Sequence, residues 1–144
     1  MQETGKVIVQ TDAAPVPIGP YSQAVKAGDL VFVAGQLGID PASGELAAAD
    51  AAGQTRRIME NIQAILEMAG SGLGRIVKTT IFVVDLRDFG EINKVYAEFF
   101  PFEQPARSTV QVAALPMGGR VEIEAVAVLT QSAGVPAGGG LGGY

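Results

Sequence analysis

The sequence Ile76-Val77-Lys78-Thr79-Thr80-Ile81-Phe82-Val83-Val84 is predicted to form a strand. It is rich in β-branched residues, which favour the extended backbone of a strand. Towards the end of the stretch, both faces of the strand carry apolar residues. That pattern is typical of a strand in the interior of a sheet, or of one that another subunit covers. The remaining elements are therefore expected to surround this strand.

Five further strands are predicted from short apolar or β-branched runs, at residues 6–10, 24–27, 30–34, 107–115 and 121–130. Gly28 and Asp29 supply a tight turn between the second and the third of these strands. Gly35 directly follows the third strand. A glycine there allows a β-bulge, or the close approach of a ligand to the backbone.

Two helices are predicted from apolar residues at helical spacing. The first covers residues 50–69, with Asp50 as its N-terminal cap and Gly70 ending it in the left-handed conformation. The second starts at Asp88, since Asp88 and Glu91 have the spacing of a capping box, and it stops at Pro101. The apolar stripes are Ile58, Ile62, Ile65, Leu66 and Ala69 in the first helix, and Ile92, Val95, Tyr96 and Phe99 in the second.

The order β-β-β-α-β-α-β-β predicts an α+β fold, a two-layer sandwich in which a sheet of about six strands carries both helices on one face. The other face then needs a cover, and its apolar surface predicts that a partner subunit supplies it. Residues 1–131 are expected to form a single domain. Residues 132–144 consist mainly of Gly, Ala and Pro, and are expected to be a flexible tail.

The composition excludes several classes of function. The chain has no cysteine and no histidine, so thiolate nucleophiles, histidine-based triads and the usual zinc sites are excluded. Its net charge of −5 and its scattered basic residues are unsuited to binding a nucleic-acid backbone. There is no apolar run long enough for a membrane span, and the first residues lack the profile of a signal peptide, so a cytoplasmic location is expected. Acid–base chemistry is left to Asp, Glu, Tyr, Lys or bound water.

Two charged residues beside predicted core strands are candidate site residues. Arg107 lies at the start of the predicted strand 107–115, and Glu122 lies within the predicted strand 121–130. Because an unpaired charge in a low dielectric is costly, each needs a local partner or a ligand. The planar guanidinium of Arg107 matches a carboxylate, so the hypothesis is that Arg107 binds a small acid while Glu122 moves protons beside it. Spacing alone favours the alternative, a structural cation at Arg107 and solvated edge charges at Glu122 and Glu124.

Whether the two candidates meet depends on how the last two strands pair. In a tight hairpin about Met117 and Gly118, Glu122 would pair near Ala113, ~20 Å along the strand from Arg107. A small ligand could not then contact both side chains. Either these strands do not form such a hairpin, or the cleft is built across subunits.

Six short motifs, in unbroken order between about residues 7 and 129, resemble the RidA (YjgF) family. They are Ile18-Gly19-Pro20-Tyr21-Ser22-Gln23-Ala24, Ala34-Gly35-Gln36, Val77-Lys78-Thr79-Thr80, Asn93-Lys94-Val95-Tyr96-Ala97-Glu98-Phe99-Phe100, Pro105-Ala106-Arg107-Ser108 and Glu122-Ile123-Glu124-Ala125.

This resemblance implies a fold like that of chorismate mutase and a homotrimer with three clefts between subunits. It implies hydrolysis of reactive enamines and imines, chiefly 2-aminoacrylate and 2-aminocrotonate, to 2-keto acids and ammonia, without a cofactor or a metal. Arg107 would bind the substrate carboxylate, and Glu122 would position or activate water. The further substrate contacts implied by the family fall on Tyr21, Gly35, Asn93 and Thr109.

The chain departs from the family pattern at two places. Thr109 stands where many members carry a cysteine, a position that contributes mainly main-chain hydrogen bonds in the family. The connection between Phe100 and Pro105 is shorter than the common form, which leaves the preferred substrate size open. Two alternative functions also stay open, a non-catalytic trimer that binds small carboxylates such as 2-keto acids, and a ribonuclease or translation inhibitor, a label that some family members have carried.

Overall fold

The computed structural model describes residues 3–129, and its elements follow the predicted order. The strands are β1 (Lys6–Val9), β2 (Ala24–Ala27), β3 (Leu30–Leu37), β4 (Ile76–Val83), β5 (Ala106–Gln111) and β6 (Val121–Val128), and the helices are α1 (Ala51–Ala69) and α2 (Phe89–Phe99). The predicted tail at residues 132–144 lies outside the described residues, as does the end of the predicted domain.

All six strands form one mixed sheet, in the order β1-β2-β3-β6-β4-β5. β4 lies between β6 and β5, as its two apolar faces predicted. β4 and β5 run parallel, whereas the other neighbouring strands are antiparallel. α2 makes the crossover between the parallel pair, because parallel neighbours cannot be joined by a tight turn. The predicted α+β class, with a mixed sheet of six strands and two helices, is therefore confirmed.

The last two strands do not form a hairpin, although they follow each other in the chain. β5 pairs with β4 at the edge of the sheet, whereas β6 lies between β3 and β4. The sequence left open whether these strands form a tight hairpin about Met117 and Gly118, and the structure shows that they do not. Both residues have positive φ angles, 60° and 68°, in the connection that returns the chain from the edge to the centre of the sheet.

α1 begins and ends where the sequence predicted. Asp50 caps it, since its carboxylate accepts a hydrogen bond from the Gly53 N–H at 3.3 Å, and Gly70 ends it at a φ of 88°. The predicted stripe of α1 is buried against the sheet. It forms one core with apolar side chains of α2, β3, β4 and β6, among them Ile92, Val31, Ile81, Val83, Val121 and Ile123.

The capping box predicted at the start of α2 is wrong. Asp88 makes no side-chain hydrogen bond to the helix, because its carboxylate forms a salt bridge of 2.7 Å with Arg120. Glu91 accepts a hydrogen bond from the Ala52 N–H in α1 at 3.0 Å. Both acids thus have partners that are distant in sequence, and these partners replace the local cap.

The sheet face opposite to the helices retains exposed apolar side chains. Phe32 on β3 is 45% exposed and Val110 on β5 is 42% exposed. Residues 3–129 contain no element that covers this face, so the partner subunit predicted there remains a prediction. Neither helix in the same part of the chain is long and apolar enough to cross a membrane.

Candidate active site in two halves

Glu122 lies on the sheet face that the helices leave open. Its neighbours on β6, Val121 and Ile123, are fully buried in the core on the helix side. Because side chains alternate along a strand, Glu122 points to the opposite face. It stands opposite Leu37 of β3 and Phe82 of β4 in the sheet.

A β-bulge in β3 brings the backbone of Gly35 against the Glu122 side chain. The register with β6 shifts between Val33 and Gln36, which confirms the bulge that the sequence allowed. A Cβ atom at Gly35 would lie 2.9 Å from both Cδ and Oε2 of Glu122, closer than such atoms approach each other. The absence of a side chain at Gly35 is therefore what lets the carboxylate occupy this place.

Tyr21, Gly35 and Glu122 line one cavity of about 290 Å³, and we call these three residues the cavity half of the site. The rest of the lining is mostly apolar and consists of Pro15, Val16, Pro17, Ile18, Gln23, Ala34, Gln36, Leu37, Ile39 and Pro116. The Tyr21 hydroxyl accepts a hydrogen bond of 3.2 Å from the Ile18 N–H, which fixes the ring against the proline-rich wall.

Gln23 holds this wall in place, and sequence reasoning missed it. Its side chain is buried, accepts a hydrogen bond from the Thr11 N–H at 2.8 Å, and donates to the carbonyls of Thr11 at 3.0 Å and Pro15 at 2.9 Å. It ties a loop without regular structure to the start of β2. A glutamine placed directly after a rigid turn was the available signal, but its partners are not visible in the sequence.

Burial raises the pKa of Glu122 above its usual range, and the negative charge of Glu124 adds to the effect. The two carboxylates share one face of β6, as predicted, and Glu124 is the more exposed of the two. A carboxyl group with a raised pKa is better suited to exchange protons near neutral pH than an ordinary glutamate.

Arg107 lies on the opposite face of the sheet, the face that the helices cover. It stands opposite Thr79 of β4, whose buried hydroxyl lies 2.7 Å from the hydroxyl oxygen of Tyr96 in α2. The Cζ atom of Arg107 is 5.0 Å from the centre of the Tyr96 ring and 5.5 Å from the centre of the Phe89 ring. Both distances are typical of a cation–π contact.

The guanidinium of Arg107 has no carboxylate partner among residues 3–129. Four other arginines, by contrast, form salt bridges, and they are Arg56, Arg57, Arg87 and Arg120. The structural ion pair that spacing alone favoured for Arg107 is therefore not formed within the part of the chain that the structure describes.

Asn93 and Thr109 accompany Arg107, and we call these three residues the arginine half. Asn93 lies between Phe89 and Tyr96 at helical spacings of four and three, so it shares the helix face over which Arg107 stands. Thr109 follows Arg107 by two positions on β5 and shares its strand face. The Asn93 Oδ1 and Thr109 Oγ1 atoms are buried and have no hydrogen-bond partner within residues 3–129. Buried polar atoms without a partner are rare, so this pair indicates a place for a ligand.

The two halves do not meet within one chain. Arg107 aligns with Thr79 on β4, and Glu122 aligns with Phe82, three residues further along. With two strand spacings between β5 and β6, their Cα atoms lie roughly 14 Å apart. Their side chains also point to opposite faces of the sheet.

In addition, no group of three or more His, Cys, Asp or Glu side chains in the described chain could hold a metal ion.

The endoribonuclease L-PSP family model matches residues 11–129 of this chain. The chain therefore belongs to this family, the RidA family. A curated relative, the RutC family protein y4sK of Sinorhizobium fredii, is 52% identical over 122 residues, which are 85% of this chain and 97% of the relative. The 2-iminobutanoate/2-iminopropanoate deaminase of Bos taurus is 46% identical over 128 residues, which are 89% of this chain and 93% of that protein.

Solved structures of similar proteins carry the same fold as this RidA family member. The crystal structure of E. coli TdcF with bound serine matches with a TM-score of 0.82 and 46% sequence identity. The match covers 86% of this chain and 99% of TdcF. The family and the fold predicted from the six motifs are thus both confirmed, whereas the roles of the individual site residues stay predictions.

Proposed function

We propose that this protein is a hydrolytic deaminase of reactive 2-enamine and 2-imine acids, such as 2-aminoacrylate and 2-aminocrotonate, and that it yields 2-keto acids and ammonia. Relatives of similar length that carry the name 2-iminobutanoate/2-iminopropanoate deaminase, at 44–47% identity, support the reaction class. The observation that carries the proposal is the Arg107 guanidinium, which lies over two aromatic rings and has no carboxylate partner within residues 3–129.

Each half of the site would supply a different part of the reaction. Arg107 would bind the substrate carboxylate through two parallel hydrogen bonds. The Asn93 Oδ1 and Thr109 Oγ1 atoms, which no described residue pairs, are acceptors that an N–H of the substrate could satisfy. Serine, the ligand bound to TdcF, resembles the proposed substrates in that one carbon carries both a carboxylate and a nitrogen.

Glu122 would act on the carbon that becomes the ketone. The enamine first tautomerises to the imine: its terminal carbon gains a proton from water, and its nitrogen loses one to water. A water molecule positioned by Glu122 then adds to the imine carbon, and the resulting carbinolamine loses ammonia to leave the keto acid. Glu122 would accept a proton from the water and return it to the leaving nitrogen, which its raised pKa favours. Tyr21 and the backbone at Gly35 would enclose the substrate within the cavity.

A complete site requires two copies of the chain, because one chain presents the two halves on opposite sheet faces. We propose that the open sheet face packs against another copy, and that the arginine half of one subunit faces the cavity half of the next. A closed ring of such heterologous contacts gives one cleft per subunit. The homotrimer implied by the family resemblance is one such ring, with three clefts.

The direct test is release of keto acid from 2-aminoacrylate generated in situ, with wild-type protein and the Arg107→Ala variant. We expect wild type to accelerate release, and Arg107→Ala to lower kcat/KM by about 100-fold or more, since a binding group for a desolvated charge is lost. Arg87→Ala is the matched control, because Arg87 is exposed and paired with Asp85.

Three other results, from this assay and from two further measurements, would lead to different conclusions. An Arg107→Ala variant with wild-type activity would contradict the proposal. Calorimetry that shows 2-keto acid binding without any turnover would favour the non-catalytic carboxylate binder. Cleavage of RNA by the purified protein would favour the activity after which the family model is named.

A further inference from the structure

The guanidinium of Arg107 lies against two aromatic rings, and no carboxylate in the described part of the chain pairs with it. Its Cζ atom is 5.0 Å from the Tyr96 ring centre and 5.5 Å from the Phe89 ring centre. The two aromatic residues are seven positions apart in α2, so they lie on one face of the helix, two turns from each other. Arg107 lies over both rings, and we call Phe89 and Tyr96 the aromatic shelf.

An arginine that is held by ring faces keeps all of its N–H groups available. A carboxylate partner would occupy two of these donors and neutralise the charge that has to attract the ligand. The π face of a ring attracts the cation without accepting hydrogen bonds in the guanidinium plane. The planar group can therefore be oriented by the rings and still bind a carboxylate at its edge.

The two rings of the shelf are anchored to different degrees. Tyr96 is only 5% exposed, and its hydroxyl shares a hydrogen bond of 2.7 Å with Thr79. Its ring centre also lies 4.7 Å from that of Phe100, in a tilted contact. Phe89 is the first residue of α2 and is 39% exposed. Tyr96 thus belongs to the core, whereas Phe89 lies at the rim, where a substitution disturbs the core least.

We propose that Phe89 and Tyr96 are positioning residues, which hold the Arg107 guanidinium in the orientation that receives the carboxylate of the ligand. The proposal rests on the proposed function for the identity of that ligand. The contact of Arg107 with the rings is a separate matter, which can be measured without any ligand. The shelf acts on binding and not on bond breaking, because the carboxylate is bound equally in the ground state and in the transition state.

The decisive variant is Phe89→Leu, which removes one ring face and keeps an apolar side chain. Its KM for 2-aminoacrylate should rise about three- to tenfold, the effect of losing one cation–π contact, while kcat stays near the wild-type value. Phe89→Tyr keeps a ring face and should bring KM back towards wild type. Phe102→Leu is the matched control, since Phe102 is 82% exposed in the loop after α2 and does not contact Arg107.

A role in packing alone would give the opposite pattern. Phe89→Leu would then lower the melting temperature while KM of the folded protein stayed unchanged, and that result would overturn the proposal. If wild type turns over no imine, the affinity for 2-ketobutyrate replaces KM in the same comparison. An unchanged Kd in Phe89→Leu would again overturn it.

A measurement without ligand separates the shelf from the proposed function. The Nε–H proton of Arg107, assigned by its loss in Arg107→Lys, should be shifted by the ring currents of the shelf in wild-type NMR spectra. Phe89→Leu should move this resonance towards the position of an exposed arginine. If the resonance of wild type is already at that position, the aromatic shelf does not hold Arg107, whatever the enzyme assay shows.

Discussion

The cavity half and the arginine half of the site hold their charged groups in opposite ways. Glu122 lies in a mostly apolar cavity, where burial raises its pKa and disfavours its charge. Arg107 keeps its charge and stands over two rings, without a carboxylate partner among residues 3–129. The cavity half is therefore suited to exchange protons, whereas the arginine half is suited to bind an anion. Since they face opposite sides of one sheet, a site that uses both halves, as we propose, needs two copies of the chain.

The largest effect in the cavity half is expected from Glu122→Gln. This change keeps the size of the side chain and removes the group that exchanges the proton, so kcat should fall about 100-fold. Binding of 2-ketobutyrate, measured by calorimetry, should persist, because the arginine half is unaltered. Glu124→Gln, on the same face of β6, is the control and should retain activity. A fully active Glu122→Gln variant would show that Glu122 does not transfer the proton.

Glu122→Gln, which should lower kcat, should at the same time make the fold more stable at neutral pH. The folded-state pKa of Glu122 is raised above its ordinary value of 4.5, so the unfolded chain loses this proton at lower pH than the folded chain does. Ionisation of Glu122 therefore destabilises the fold as the pH rises through this range, and the penalty is absent below the unfolded pKa. Glu122→Gln should raise the melting temperature at pH 7 and not at pH 4. If the melting temperature of wild type instead rose relative to that of Glu122→Gln as the pH increased, the pKa of Glu122 would not be raised.

A smaller effect is expected from Gly35→Ala, which tests how the cavity half is built. The added Cβ would lie 2.9 Å from the Glu122 carboxyl group and displace it. We expect a loss of about tenfold in kcat from misplacement of this group, with little change in the fold. Gly72→Ala is the matched control, since a Cβ at Gly72 meets no atom within 4 Å. Wild-type kcat in Gly35→Ala would show that the position of the carboxylate is not critical.

The smallest effect on activity is expected from Gln23→Leu, which loosens the wall of the cavity half. Loss of the hydrogen bonds to the loop leaves buried carbonyls unpaired and should lower the free energy of unfolding by about 1–3 kcal/mol. kcat/KM should fall only a few-fold, since no reacting group is removed. Gln63→Leu on α1 is the control, because the Gln63 side chain donates a hydrogen bond to Glu67 on the exposed surface of the helix. Equal urea denaturation curves for both variants would exclude the role given to Gln23.

The sequence predicted what depends on local spacing. The interior position of β4, the ends of α1 at Asp50 and Gly70, and the bulge at Gly35 follow from residue type and periodicity within a few positions. All three are found in the structure. Glu122 was named as a candidate from its place inside an apolar run, and Tyr21 and Gly35 through the family resemblance; all three line one cavity.

Sequence reasoning was less reliable where the partner of a residue is distant in the chain. Asp88 looked like a helix cap, but Arg120 binds its carboxylate in the folded chain. The sequence left open whether the consecutive strands β5 and β6 form a hairpin, and only the structure shows that β4 separates them. Tyr96 was assigned to the core, which is correct, yet nothing in its spacing showed that Arg107 lies over its ring. Such pairings are fixed by the tertiary fold, so local patterns cannot reveal them.

The most direct test of a cleft between subunits is to mix two inactive variants. Arg107→Ala keeps an intact cavity half, and Glu122→Gln keeps an intact arginine half. If they are unfolded together in equal amounts and refolded, each cleft between neighbouring copies receives both intact halves with a probability of one half times one half. We therefore predict recovery of about one quarter of the wild-type rate from the mixture. A mixture that stays as inactive as either variant alone would contradict a site shared between two copies.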